Sequence, residues 1–340
     1  MLLYRASAGS MPAARFSGIG VLVRSNRIVR TGSLIFALLL VTIAGNWSGD
    51  HAQSPQASPA KLKFDHALIC TSDLAPVQQG FVDVNLAPDY GGRHGHAATQ
   101  MAQLGFQDGT YIGIEAPAIA SAETNTPQSA LMKADAGPCG WSVTSTDMKA
   151  DLERLARLNV QVGLPEGRSR TRPDGTTAEW QSASVGAGPP GSNLPFLIQD
   201  KTPRRNRAPR PSPSTAGTGL TGVAIVVLGV KNLDDSIALF RRVYDWPAPK
   251  IEDHPDFGAK LAYFAGTPVI LASPSGTDSW LARRLERLGQ SPIAFLLATG
   301  DWKSTTAHFA LPLGTKWFGL SVSWFDVNKL HGVRLGVVRQ

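Results

Sequence analysis

The sequence predicts an α+β fold of tandem βαβββ modules that form half-open barrels, arranged as two domains of paired modules. Three observations carry this expectation. A strand, turn and helix unit recurs at long intervals, each copy continues into short strands broken by Gly and Pro, and an Arg/Pro-dense stretch near the middle of the 340 residues separates two pairs of copies. A repeated unit fixes the architecture before any single residue does, because one copy cannot bury its apolar face alone.

In chain order, residues 1–60 read as an export signal or membrane anchor plus a polar spacer. Arg24, Arg27 and Arg30 precede the apolar run from Leu34 to Gly45, and the small-residue stretch SGDHAQSPQASPA follows. A basic flank and an apolar core of about a dozen residues are the pattern of a secretory signal, and that core is shorter than the roughly 20 residues that span a bilayer. An uncleaved anchor and a buried core helix are the alternatives. Cleavage after Ala52 places Asp50 where a small residue is preferred, Ala44 marks another cleavage position, and Met11 is a second candidate start. The expected location is exported: periplasmic, or membrane-anchored and facing the exterior.

Residues 61–200 read as the first domain, with two modules. FDHALICTSDLAPVQQGF, from Phe64, gives a strand, a polar turn at Asp73 and a helix. GPCGWSVTSTDMKADLERLARLNVQVGLP, from Gly137, repeats the order with Leu152, Leu155, Ala156 and Leu158 at helical spacing. Residues 201–217, KTPRRNRAPRPSPSTAG, hold too little apolar surface to fold and read as an exposed Arg/Pro-rich linker. Residues 218–340 read as a second, divergent domain. Its third module has a turn at Asn232 and a helix with Ile237, Leu239, Phe240 and Val243 on one face, and its fourth has strands at IAFLLAT, GLSVSWF and VRLGVV.

The formal net charge of +7 is not a nucleic-acid signal once the charges are located. Residues 1–52 and the stretch 201–217 hold nine more basic than acidic residues, so the globular parts carry about −2. No nucleic-acid partner is expected. No nucleophile elbow, phosphate loop or Cys/His metal cluster is present, and GIGVLV at Gly18 has no preceding strand to make it a nucleotide loop. Cys70 and Cys139 are expected as two buried free thiols, with a disulfide in an oxidising compartment as the alternative.

Strand alternation places His66, Leu68 and Cys70 on one face of the first strand, and Tyr111, Gly113 and Glu115 on one face of a later one. FDHALI from Phe64, GGRHGH from Gly91, DGTYIGIEAP from Asp108, SRTRPDGT from Ser169 and PFLIQD from Pro195 follow in an order that resembles a glyoxalase-like domain of the vicinal oxygen chelate (glyoxalase/bleomycin resistance/dioxygenase) superfamily. The resemblance covers the first domain well and the second weakly.

The resemblance implies a site in the concave face of the first barrel. In metal-dependent relatives a His on the first strand and a Glu two residues after the Tyr are ligands, and the partner module supplies a second pair. Here His66 matches, Gly113 stands at the Glu position, Glu115 lies two residues on, Trp141 takes the partner His place, and NLPFLIQ holds no carboxylate. The metal site is therefore expected to be degenerate, with His66 and Glu115 as candidate ligands for a divalent ion, joined by His94 or His96.

The expected ligand-binding residues are His66, Tyr111, Glu115, Trp141, Arg172 and Trp180, with one arginine of SRTRPDGT pointing inward to meet a carboxylate or enolate oxygen. The expected function is an exported glyoxalase-like domain protein binding a small oxygen-bearing ligand. The alternative is a metal-dependent lyase, isomerase or dioxygenase. A membrane contact is expected only through residues 34–45, and the oligomeric state is not legible.

Overall fold

The computed structural model describes residues 62–95, 98–119, 127–208 and 211–339. The export segment and His96 lie outside the described residues. Among the described residues no helix is long and apolar enough to cross a membrane.

The first half comprises β1 (Phe64–Cys70), α1 (Leu74–Val82), β2 (Asp89–His94), β3 (Thr99–Gly105), β4 (Tyr111–Pro117), α2 (Ser129–Lys133), β5 (Gly137–Thr144), α3 (Met148–Arg157), β6 (Glu166–Thr171), β7 (Thr177–Ala183), β8 (Phe196–Asp200) and α4 (Arg204–Arg207). The second comprises β9 (Leu220–Gly229), α5 (Leu233–Tyr244), β10 (Lys250–His254), β11 (Ala259–Tyr263), β12 (Val269–Pro274), α6 (Trp280–Leu288), β13 (Ser291–Thr299), α7 (Trp302–His308), β14 (Thr315–Trp317), β15 (Leu320–Trp324) and β16 (Leu335–Arg339).

Every module leaves its first strand by the same local chemistry. Asp73, Asp147, Asn232 and Asp301 each accept a hydrogen bond from an amide in the first turn of the helix that follows: α1, α3, α5 and α7. Such a cap satisfies a helix-end N–H that has no partner inside the helix, and contributes roughly 1 kcal/mol.

In the first half the strand order β1-β4-β3-β2-β6-β7-β8-β5 closes into a barrel. Closure comes from β2 pairing with β6 on one side, with His94 opposite Arg170, and from β1 pairing with β5 on the other. The second half repeats the arrangement as β10-β11-β12-β9-β13-β16-β15-β14, open between its edge strands β10 and β14. The half-open form thus describes the second half, whereas the first is fully closed. Leu281 and Leu285 of α6 pack with Ile225, Val227, Ile270 and Leu296 of the second sheet.

One apolar core runs through both halves, joining Phe81, Trp141 and Leu155 to Phe240, Phe264 and Phe295. Arg284 on α6 donates to the carbonyls of Ala136 and Pro138 at 2.7 and 2.6 Å, and the Val223 amide donates to Thr110 Oγ1 at 2.8 Å. The halves pack as one compact body.

Two expectations are corrected here. Residues 201–217 are not an exposed linker: Arg207, Ser212 and Thr215 are buried. The Ser212 amide and the Thr215 hydroxyl both donate to the Gly105 carbonyl, at 3.0 and 2.7 Å, and Arg207 is neutralised inside the barrel. Composition records how little apolar surface this segment has and is blind to charge pairing. Cys70 and Cys139 are not free thiols either; they form a disulfide with Cα atoms 5.8 Å apart. The antiparallel register of β1 and β5, which sets Cys70 opposite Gly137, brings the two sulfurs together.

The bridge spans a sequence separation of 69 residues, so loop-closure entropy puts its contribution at roughly 4 kcal/mol. Cys70→Ser with Cys139→Ser is expected to lower the urea-unfolding free energy by about that amount relative to the oxidised protein, and dithiothreitol should move the unmodified protein toward the variant. An unchanged midpoint after both treatments counts against the bridge.

Candidate functional site

The first barrel encloses a cavity of about 120 Å³ lined by inward residues of both modules and by Arg207. β1 contributes His66 and Leu68, β4 Tyr111 and Glu115, β6 Arg168 and Arg170, β7 Trp180 and β8 Phe196. Strand parity selects the face each strand turns inward, and the pairing of β6 with β2 brings Arg170 into the set. The Pro173-Asp174-Gly175 turn, with Gly175 at φ 82° and Thr176 N–H on Asp174 Oδ1 at 2.8 Å, fixes the β6–β7 register. That register pairs Arg170 with Ala178 and Arg168 with Trp180.

Of the residues expected at the site, His66, Tyr111, Glu115 and Trp180 are brought together. Trp141 is not. On β5 it lies opposite Ala67, faces the core, stacks on Phe64 and donates its Nε1–H to Asn193 O at 2.8 Å. The residue opposite His66 is Ser142, one position on, because parity on β5 runs the other way. Arg172 is also outside. It lies beyond the end of β6 with Nη1 3.4 Å from Gln103 Oε1, and the inward arginine is Arg170.

The centre is organised by charge. The Asp65 carboxylate is fully buried and accepts Arg207 Nη1 at 2.8 Å, Arg207 Nη2 at 2.9 Å, Thr144 Oγ1 at 2.9 Å and His66 Nδ1 at 2.7 Å, with Arg204 Nη1 also in contact. Arg207 in turn gives Nε to Asp200 Oδ1 at 2.6 Å, Nη2 to Asp200 Oδ2 at 3.0 Å and Nη1 to the Tyr111 hydroxyl at 3.0 Å. All five of its donors are satisfied. Burial alone pushes the Asp65 carboxyl up, but the charge and hydrogen bonds of Arg207 outweigh it and hold the group well below the usual carboxylate range.

These contacts set what the cavity offers. Burial lowers the His66 pKa despite the opposing pull of Asp65, so the ring is neutral. An ionised Asp65 can only accept, so the His66 proton sits on Nδ1 and the Nε2 lone pair is left for a ligand. The ring is clamped against Tyr111, centroids 4.5 Å apart and nearly parallel. Burial raises the Tyr111 pKa, keeping it a phenol; since its oxygen accepts from Arg207, its proton is available to a ligand. Burial also lifts the Glu115 carboxyl above its ordinary value against a hydrogen bond from Thr99 Oγ1 at 3.1 Å, and His94 Nδ1 lies 3.6 Å away.

Arg170 is the uncompensated group. No carboxylate lies within ion-pair distance of it among the described residues: Nη2 donates to the Arg207 carbonyl at 2.6 Å, Nη1 meets the Met101 sulfur, and Nε is buried without a partner. Burial pulls its pKa down to about 10, which leaves it charged at neutral pH.

The residues present do not fit a divalent metal. His66 is opposite Tyr111 and Glu115 is four residues further along β4, which is about 13 Å of strand, whereas two ligands of one zinc ion each lie about 2 Å from it. Two buried guanidiniums line the same cavity, and among the described residues no three His, Cys, Asp or Glu side chains converge. The pairing of His66 with Glu115 as ligands is thereby corrected by the strand register. Of the two arginines of SRTRPDGT, one of which was expected to point inward, it is Arg170 that does, and Arg207 was missed as a site residue. Arg170 was visible as the neighbour of Arg172, and a buried Asp65 calls for a cation, but nothing in the linker's composition marks Arg207.

The lowered Asp65 pKa ties stability to pH. A carboxyl depressed in the folded state contributes stability above its unfolded value near 3.8, and that contribution is lost as pH falls through the lower folded value. Asp65→Asn is expected to cost about 3–5 kcal/mol at pH 7, because it leaves a buried cation short of its partner. The gap to the unmodified protein should narrow when both are unfolded with urea near pH 3. A gap independent of pH would show that Asp65 does not carry the charge.

A profile of the family described as "Glyoxalase-like domain" matches residues 64–244, just over half of the chain. No protein of curated function matches. Among solved structures, a hypothetical protein from Staphylococcus aureus shares 13% identity at a TM-score of 0.53, over 82% of this chain and 100% of that chain. A triply substituted 4-hydroxymandelate synthase from Streptomyces coelicolor shares 13% at 0.53, over 83% of this chain and 93% of that chain. A methylmalonyl-CoA epimerase from Mycobacterium tuberculosis shares 17% at 0.32, over 36% of this chain and 91% of that chain. At these identities the first two structures speak for the fold alone, and the third carries no argument. The profile match and the paired βαβββ modules agree, and the chain belongs to the glyoxalase-like domain family of the vicinal oxygen chelate superfamily.

Proposed function

We propose that this is an exported protein that binds a small oxygen-bearing anion in the first barrel. The observation that carries the reading is Arg170: a buried, charged guanidinium with an unpartnered Nε–H and no carboxylate partner. A buried charge is tolerated when it is paired, and here the pairing anion has to come from outside the chain. Around it the Tyr111 hydroxyl offers a proton and His66 Nε2 accepts one, which suits a carboxylate carrying a hydroxyl or carbonyl oxygen. A cavity of about 120 Å³ limits the ligand to a few heavy atoms, since roughly 150 Å³ holds a benzene.

Export is supported by two independent features. The basic flank and apolar core at Leu34 to Gly45 read as a secretory signal. The Cys70–Cys139 disulfide suits an oxidising compartment outside the cytoplasm.

A second reading, an isomerase or lyase acting by proton transfer, rests on the Asp65–His66 pair. A carboxylate on Nδ1 that fixes the tautomer and aims Nε2 is how a general base is held. Both readings place the ligand's oxygens on Arg170.

A panel of small 2-hydroxy and 2-oxo carboxylates, glycolate, lactate, glyoxylate and pyruvate among them, tests the first reading by thermal shift. At least one member is expected to raise the melting temperature saturably, Arg170→Met should abolish that shift, and chelators should leave it unchanged. Deuterium uptake at carbon by a bound member in D2O, lost in His66→Gln, would establish the second. Shifts that survive Arg170→Met would refute the assignment of the anion site.

A further inference from the structure

The second half holds a cavity of its own, about 250 Å³, where His254 at the end of β10 meets Trp317 of β14 with ring centroids 5.4 Å apart. Its walls are aromatic. Phe257 stacks on Trp324 at 5.5 Å and stands edge-on to Trp317 at 4.9 Å, and Trp317 lies 5.4 Å from Trp324. Phe325 and one cation, Arg334, complete the lining that matters here.

Arg334 is held but not neutralised. Its guanidinium lies 3.8 Å over the Trp280 ring, and Trp280 is fixed by Nε1–H donation to Phe257 O at 2.6 Å. The turn that brings that carbonyl close needs Gly258 at φ 75°, where a Cβ would stand 3.1 Å from the indole. Among the described residues the Arg334 guanidinium makes no hydrogen bond and no ion pair, and Asp256 on the rim is not paired with it. Burial lowers its pKa with no carboxylate pulling the other way.

With one face of the guanidinium covered by an indole, its N–H groups remain for acceptors in the plane, the geometry that a carboxylate fills with two parallel hydrogen bonds. The aromatic walls present ring faces and edges that suit a flat apolar body. A cavity that exceeds the roughly 150 Å³ of a benzene-binding site has room for one ring and its acid group. We propose that this cavity is a second binding site, for a monocyclic aromatic carboxylate, with Arg334 holding the carboxylate and Phe257, Trp317 and Trp324 holding the ring. It is separate from the Arg170 site and does not depend on that reading.

Phenylacetate is the probe, titrated into the full chain by calorimetry and by saturation-transfer NMR, with benzyl alcohol supplying a ring without the charge and butyrate the charge without a ring. The expected result is one saturable phenylacetate site per chain, at least about tenfold tighter than for either control. Arg334→Met should weaken it by about tenfold or more, Arg334→Lys, which keeps the charge and loses the fork, by less, and Arg170→Met not at all. Circular dichroism of each variant separates lost binding from lost fold, and the lysine variant carries the test if the methionine variant does not fold. No saturable binding, equal binding of the controls, equal affinity in both Arg334 variants, or loss in Arg170→Met in place of Arg334→Met would overturn the proposal.

Discussion

The buried pairing of Asp65 with Arg207 is the constraint on which the first barrel depends. Asp65 is on β1, and Arg207 reaches it from α4, beyond the last strand of the barrel, with Arg204 of the same helix also in contact, so ion pairing ties the segment after β8 to the strand that opens the fold. Removing either partner leaves a charge in an apolar interior, which costs far more than an exposed pair contributes. Asp200 and Tyr111 take the remaining Arg207 donors, and the Arg207 carbonyl accepts from Gln103 and Arg170. One residue therefore orders the base of the cavity, its phenol and its second arginine together.

This arrangement decides what the barrel can do. A divalent ion needs converging lone pairs on carboxylates and imidazoles, and the register of β1 with β4 spreads His66 and Glu115 too far apart for that. Two buried guanidiniums line the cavity instead, one neutralised within the chain and one not. The difference between Arg207, with all donors used, and Arg170, with a buried Nε unpartnered, separates a residue that builds the site from the one we propose meets a ligand. His66, oriented through Asp65 and stacked on Tyr111, turns an acceptor toward the same cavity.

Much of the architecture was legible because it is written locally. The strand, Asx cap and helix recur four times; three of the helices and the caps at Asp73 and Asn232 were legible in the sequence, whereas the Asp301 cap and α7 were not. Parity on β1 and β4 likewise gave His66, Tyr111 and Glu115. The place that the resemblance gave Trp141 missed by one residue, since bulges between β1 and β5 shift the register and no local signal marks them. The same holds for Arg172 and Arg170: the turn was legible, and which arginine ends up inside the barrel depends on where β6 meets β2. The segment 201–217 was least legible of all. Its arginines read as solvent-loving until their carboxylate partners, Asp200 just before the segment and Asp65 far away in sequence, are brought alongside.

The central claim is tested most directly by a double-mutant cycle on the pair itself. Asp65→Asn, Arg207→Met and the double variant, unfolded with urea at pH 7, give the coupling free energy between the two side chains. The account predicts strong non-additivity, about 2 kcal/mol or more, with the double variant far less destabilised than the sum of the single changes. Additivity within about 0.5 kcal/mol would contradict it.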